Sequence, residues 1–269
     1  MTGVRPVRVG GGQPCSRAAG RCGASAAQTA GDAGSGPHVL VDAVDVDAPE
    51  LSDDDLHHLT RVLRLRAGDS LTVGDGAGAW RLCRFAGVGA RSLLEPAGEV
   101  VSAPAPSPEL AVGFAVLKGG RSETVVQKLT ELGIDRIVPF VAERSVVRWE
   151  AARAQRLLQR WQRVAAEAVM QSRRLWLPQV SAPERFFELD LSDAVLADPD
   201  PAAGALSACQ NFVMVGPEGG WSPEEAAAVG RRVCLSSQIL RAETAAVAAA
   251  ALLAARRSGH LPASEPPAG

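Results

Sequence analysis

Four prolines, Pro96, Pro104, Pro106 and Pro108, divide the chain into two stretches with different hydrophobic rhythms. Proline fixes φ and has no backbone N–H to donate, so such a segment reads as a linker rather than as part of a sheet or helix. Before it, short apolar runs alternate with tight turns. Leu71–Val73 and Trp80–Phe85 flank Asp75-Gly76, a hairpin signal, and further strands are expected over His38–Val46 and near Arg91–Leu94. Ser52-Asp53-Asp54-Asp55 opens a helix reaching about Leu63, its carboxylates suiting the positive end of the helix dipole. This pattern predicts a small β-barrel over residues 37–105. After the linker, strands at Leu110–Leu117, Arg136–Val141, Ala194–Ala197, Asn211–Val215 and Val233–Leu235 alternate with helical patterns. The helices are expected from Ser122 to Gly133, over Glu150–Gln171, after Ser222 and over Ala242–Arg257. Alternation of this kind predicts an α/β domain with a largely parallel sheet over residues 109–260.

The ends differ from both stretches. Residues 1–36 contain no Leu, Ile, Phe or Trp and cannot build a core, so they are expected to be a disordered extension; residues 261–269 are expected to be a frayed tail. The five cysteines form no CxxC pair and are odd in number, which argues against a disulfide framework and against a zinc site and for a reducing cytoplasm. No apolar run reaches membrane-spanning length, so no membrane association and no metal are expected.

Chemistry concentrates in three places. Val213–Ala226 reads as the end of a strand, a turn Gly216-Pro217-Glu218-Gly219-Gly220, and a helix opened by Ser222, with Pro223 at its first position and Glu225 completing a capping box. Glycines allow backbone N–H groups to approach a ligand closely, although the same pattern also serves an ordinary strand-to-helix turn. The net charge is −2, yet Lys118 to Arg174 holds twelve basic residues against six acidic ones. That local excess suggests a phosphate-binding face. Arg153, Arg156, Arg160 and Arg163 recur at helical spacing and also fit a solvated helix face, whereas Lys118, Arg121, Arg144, Arg173 and Arg174 fall at element ends, where binding residues tend to sit. Finally, Leu235-Ser-Ser-Gln-Ile239-Leu240-Arg241 is a polar loop with apolar residues suited to lining a pocket, and Glu243 and Thr244 follow at a helix start. There is no Walker motif, no G-x-S-x-G and no G-x-G-x-x-G.

Taken together, these motifs resemble the RsmE family, the 16S ribosomal RNA (uracil-N3)-methyltransferases of the SPOUT class. The resemblance is carried in order by His57-His58-Leu-Thr-Arg61-Val-Leu-Arg64-Leu-Arg-Ala-Gly68-Asp69, Leu117-Lys118-Gly119 with Gln127-Lys128-Leu-Thr-Glu131-Leu-Gly133, Glu143-Arg144-Ser145, Arg163 to Arg174, Gly216 to Ser222, and Ile239-Leu240-Arg241-Ala-Glu243-Thr244-Ala245. It implies a PUA-like RNA-binding barrel followed by an α/β domain with a C-terminal trefoil knot. It further implies a homodimer acting on 16S rRNA in the small ribosomal subunit, in the cytoplasm, with S-adenosyl-L-methionine as cofactor. By motif match, Gly216, Pro217, Glu218, Gly219, Gly220, Leu235, Ile239, Leu240, Arg241, Glu243, Thr244 and Ala245 would line the cofactor pocket. Arg61, Arg64, Lys118, Arg121, Arg144, Arg173 and Arg174 would contact RNA. Arg144, Arg173, Arg174 and Glu218 are the candidate catalytic groups: the arginines for stabilising a uracil anion or holding phosphate, and Glu218 or Glu243 as a base. The family pattern is broken at Gly120, where an acidic residue is common, and at Ser236-Ser237-Gln238, which replaces a Gly-containing turn. Two other readings use the same residues: a non-catalytic RNA-binding protein of this fold, and an α/β enzyme acting on a small nucleotide.

Overall fold

The computed structural model describes residues 36–42, 44, 49, 51–89, 93–145 and 151–261. The expected disordered extension lies outside the described residues except for Gly36, as does the expected tail beyond Leu261. Strand β1 (His38–Leu40) pairs in parallel with β2 (Ser70–Gly74), and between them come helix α1 (Asp53–His57) and a π-helical turn, His58–Val62. β2 pairs antiparallel with β3 (Ala79–Phe85), which also pairs with β4 (Leu94–Pro96) and β5 (Val101–Ser102). The hairpin at Asp75-Gly76 is present, with the Asp75 carboxylate accepting from the Ala77 and Ala79 N–H groups at 2.7 and 3.0 Å. The expected barrel strand His38–Val46 is shorter than its apolar run, and the strand expected near Arg91 starts at Leu94. β5 carries no strong strand pattern, because both of its residues are exposed at the edge. Val39, Leu59, Leu71, Val73, Phe85 and Leu94 form the core of this smaller domain.

The expected linker starts later than Pro96, which pairs with Cys83 at the end of β4, and β5 lies within the proline segment. Beyond it the chain enters a seven-stranded sheet whose pairings are all parallel. In chain order its elements are β6 (Ala111–Ala115), α2 (Arg121–Glu131), β7 (Arg136–Val141), α3 (Ala151–Ser172), β8 (Gln179–Val180), β9 (Glu184–Arg185), β10 (Ala194–Ala197), β11 (Phe212–Val215), α4 (Pro223–Val229), β12 (Arg232–Val233) and α5 (Ala242–Arg257). The spatial order is β12-β10-β11-β6-β7-β8, with β9 continuing along the same edge of β7. β6 and β11 are buried at every position, as continuous apolar strands covered on both faces must be. One face packs on α2, α3 and α5 through Val125, Leu129, Trp161, Ala246 and Leu253; the other packs on α4 through Phe140, Phe186, Met214 and Trp221. Helix α2 begins one residue before Ser122. Ser122 is buried, and its hydroxyl accepts from Leu117 N at 3.0 Å instead of capping the helix.

The two domains are joined by backbone hydrogen bonds as well as by the chain. Gly78 N–H donates to Leu175 O at 3.0 Å and Leu177 N–H to Gly76 O at 2.7 Å, while Trp80 and Trp176 pack around Leu175 and Ala103. His38 lies near this seam, 3% exposed, with Nδ1 2.9 Å from Thr72 Oγ1. Burial, reinforced by the positive charge of Arg173, lowers its pKa from 6.5 to about 4. The unfolded chain therefore takes up this proton near pH 6.5 and the folded chain only near pH 4. The stability is intact above pH 6.5 and is lost as pH falls toward 4, by up to about 3 kcal/mol. Urea unfolding across this window should show the wild type losing its advantage over His38→Gln as pH falls; a constant difference between the two would contradict the assignment.

Candidate functional site

The carboxyl ends of β10 and β11 are where a ligand crevice forms in an open parallel sheet, because the chain leaves neighbouring strands in different directions there. Here Ala197-Asp198-Pro199 leaves β10, the glycine loop leaves β11 after Val215, and Leu235–Leu240 arrives beyond β12. The three segments enclose a cavity of about 160 Å³. Of the residues expected there, Gly216, Pro217, Glu218, Gly220, Leu235, Ile239, Leu240 and Ala245 line it. Ile239 is 89% exposed, an apolar side chain held open at the rim.

Local chemistry explains the shape of the glycine loop. Gly220 N–H donates to Pro217 O at 2.9 Å and closes the turn. Ser222 then caps α4 as expected: its hydroxyl accepts from Glu225 N at 3.2 Å and the Glu225 carboxylate accepts from Ser222 N at 3.0 Å. The other Glu225 oxygen accepts from Glu143 N at 2.9 Å, and the residue is fully buried. A single carboxylate therefore joins the α4 cap to the loop that carries Arg144. Trp221 stacks on Phe140 with ring centroids 5.8 Å apart, and its indole N–H donates to Ala197 O at 2.9 Å. A Cβ on Gly216 would lie 3.0 Å from the Trp221 ring, and one on Gly219 would lie 3.2 Å from Arg144 Cβ, so both positions exclude larger residues by close approach.

The remaining expected site residues fall into separate places. Gly219 faces Arg144 rather than the cavity, and its carbonyl accepts from Arg144 Nη1 at 3.3 Å. Glu243, in the first turn of α5, turns to Arg121, whose Nη1 is 3.4 Å from Glu243 Oε2 and 2.9 Å from Glu218 Oε1. Arg241 and Thr244 are exposed at the start of α5, and Arg241 makes no side-chain capping bond. Lys118 is exposed just ahead of α2. Arg61 and Arg64 are exposed on the smaller domain, Arg61 in the π-helical turn and Arg64 with a left-handed φ of 56°. Arg173 sits at the end of α3 against that domain, close enough to act on His38.

Arg174 needs correcting as a site candidate. Its guanidinium points inward, donating to Thr130 O and Ile134 O at 2.9 Å each and pairing with Asp135 at 3.3 Å. Burial lowers its pKa to about 10 against the attraction of Asp135, so it stays charged at neutral pH. Asp135 also pairs with Arg257, whose other nitrogen donates to Gly133 O at 2.6 Å. Arg174 thus closes the C-terminal end of α2 and is enclosed by protein.

Glu218 is held below the usual carboxylate range, first by its own backbone N–H and then by Arg121. A carboxylate stabilised in this way is a weak base. The sequence reading missed Ala197, Asp198 and Pro199, because only strand order brings the end of β10 beside the glycine loop, and it gave no role to Trp221 within the glycine-loop motif. Among the described residues no group of three or more His, Cys, Asp or Glu side chains is arranged to hold a metal, and no helix is long and apolar enough to cross a membrane.

A covered parallel sheet with its cleft at the strand ends is joined here to a small β-domain, and the family models that match these two parts describe an RNA methyltransferase with a PUA domain. The RNA methyltransferase domain family matches residues 104–254, and the RNA methyltransferase PUA domain family matches residues 51–94. The chain belongs to the ribosomal RNA small subunit methyltransferase E (RsmE) family. It is 36% identical over 216 residues to that protein from Synechocystis sp., covering 73% of this chain and 69% of the relative. Identity to the Mycobacterium tuberculosis relative is 34% over 214 residues, covering 73% and 82%. The crystal structure of the Neisseria gonorrhoeae family member bound to S-adenosyl methionine is 26% identical, with a TM-score of 0.63 over 81% of this chain and 97% of that one. A Legionella pneumophila putative methyltransferase in complex with the same cofactor shares the fold, with a TM-score of 0.70 at 23% identity over 82% and 98%.

Removing the Glu225 carboxylate should unfasten both the α4 cap and the Arg144 loop. Glu225→Ala is expected to cost about 2 kcal/mol, since a cap and a hydrogen bond to a second buried N–H are lost together. Glu225→Gln should recover only part, because its amide can present one acceptor where two N–H groups point. Equal stability of Glu225→Ala and the wild type in urea would refute the bridging role.

Proposed function

We propose that the chain transfers a methyl group from S-adenosyl-L-methionine to N3 of a uridine in 16S rRNA of the small ribosomal subunit. The observation that carries this reading is the cleft at the ends of β10 and β11, where Gly216 lies against Trp221 and the rim presents Ile239. The cleft suits the cofactor: Gly220 and Ala245 leave room, Gly216 lets the Trp221 ring pack against the loop, and Leu235, Ile239 and Leu240 offer apolar surface to an adenosyl group. When bound, the cofactor supplies a sulfonium methyl group that is already activated for transfer.

The rest of the work falls to the protein. Uridine N3–H must lose its proton, and the resulting anion spreads onto the carbonyl oxygens. With Glu218 a weak base and Glu243 engaged by Arg121, the N3 proton passes to solvent water while a cation stabilises the uracil anion, which accounts for the step better than a strong carboxylate base. Arg144 is the candidate: its turn is fastened by Ser145 Oγ accepting from Ala142 N at 3.0 Å and by Glu225. Arg61 and Arg64 on the smaller domain, Arg173 at its junction with α3 and Lys118 in the loop after β6 are assigned to RNA. N3 is the base-pairing edge, so the target uridine has to be unpaired when it reacts.

Two further features belong to this reading. The chain from β12 to α5 is taken to thread a trefoil knot, supported by Cys234 N donating to Gly204 O at 2.7 Å and by the return of α5 to β6 and β11. The protein is taken to be a cytoplasmic homodimer through its α/β domain, as the family resemblance implies.

Incubating the protein with labelled S-adenosylmethionine and unmodified small subunits, then mapping the product by mass spectrometry, is expected to give N3-methyluridine at one site in 16S rRNA. Labelling at ribose or at another base would overturn the assignment. Gly216→Val is expected to drive Trp221 from its place and weaken cofactor binding at least roughly tenfold, or about 1.4 kcal/mol. Calorimetry reads this directly, and unchanged affinity would move the cofactor elsewhere.

A further inference from the structure

Arg121 is the first residue of α2, and the left-handed Gly120 (φ 79°) immediately before it sets its direction. Its Nε donates to Lys118 O at 3.1 Å, which leaves Nη1 to reach Glu218 at 2.9 Å and Glu243 at 3.4 Å. The two carboxylates stand 97 and 122 positions further along the chain. Glu218 is on the glycine loop, one wall of the cleft. Glu243 begins the helix that follows Ile239 and Leu240, the other wall. We propose that Arg121 is a positioning residue for the methyl donor, a cationic strut that holds the two walls of the cleft at their working separation. This rests on the donor-binding reading of the cleft given above.

Three physical points support the strut. The side chains are partly exposed, at 40%, 45% and 23% for Arg121, Glu218 and Glu243, so their ion pairs contribute little to global stability. Their effect is local geometry. Without the guanidinium, two carboxylates from opposite walls would face one gap with no cation between them, and their repulsion would part the walls. The planar fork of Arg can serve two acceptors at once, which a single lysine ammonium on a flexible stem does less well. The arrangement also removes Arg121 from the RNA contacts expected from its position in the sequence, because its charge is already matched by two carboxylates.

The test measures the two ligands separately on the full chain. Arg121→Gln is expected to weaken S-adenosylmethionine binding about tenfold by calorimetry, raising the donor KM with little change in kcat, while affinity for small subunits at fixed salt changes less than about twofold. Adding Glu243→Gln to Arg121→Gln removes one of the two repelling charges and should restore part of the donor affinity, a rescue that simple loss of folding could not produce. Thermal unfolding of each variant checks that the fold is retained. Unchanged donor affinity in Arg121→Gln, a loss confined to subunit binding, or absence of rescue would each overturn the strut. If the unsubstituted protein itself failed to bind S-adenosylmethionine, the donor-cleft reading would fall instead, independently of Arg121.

Discussion

Every pairing in the larger sheet is parallel, and the geometry of the site follows from that constraint. Parallel neighbours cannot be joined by a tight turn, so each strand end delivers its loop to one edge of the sheet and each return crosses a face. The glycine loop, the Arg144 turn, the Asp198 segment and the Leu235–Leu240 segment all leave or approach the sheet at that same edge. Buried strands such as Ala111–Ala115 and Phe212–Val215 have almost no freedom to shift, because both faces are filled. Loops mounted on them inherit that rigidity.

Buried polar groups then tie the loops to one another. Glu225 satisfies two backbone N–H groups from different segments, and Asp135 receives two guanidinium groups while also accepting from Leu110 N at 2.9 Å. A charge removed from water is tolerable only when its hydrogen-bonding capacity is met, and here that demand is met by backbone from neighbouring elements. The ends of α2, α3 and α5 are thereby fastened at a single carboxylate, on the side of the domain that begins its strands.

Much of this was legible from residue pattern alone, where the information is local. The Ser222–Glu225 capping box, the hairpin at Asp75-Gly76 and the alternation of buried strands with helices are all present, because each depends on residues a few positions apart. Two segments that the motif resemblance singles out, Gly216–Gly220 and Leu235–Leu240, come together around one cavity. What was not legible depends on partners distant in sequence. Arg174 looked like a binding residue at an element end, but Thr130, Ile134 and Asp135 enclose it. Ser122 looked like a helix start, but its hydroxyl is used by Leu117. Glu225 was read only as a cap, since nothing near it in sequence announces Glu143. The short strands Gln179–Val180 and Glu184–Arg185 were missed because two residues are too few to show a period.

The backbone seam between the domains fixes where the smaller one stands. Peptide groups of residues 76–78 bond directly to those of 175–177, with two tryptophans filling the joint. A joint made this way resists bending far better than a flexible linker would. The exposed Arg61 and Arg64 of the smaller domain therefore stand at a set distance from the cleft, and the molecule is built like a caliper whose two jaws keep one fixed span.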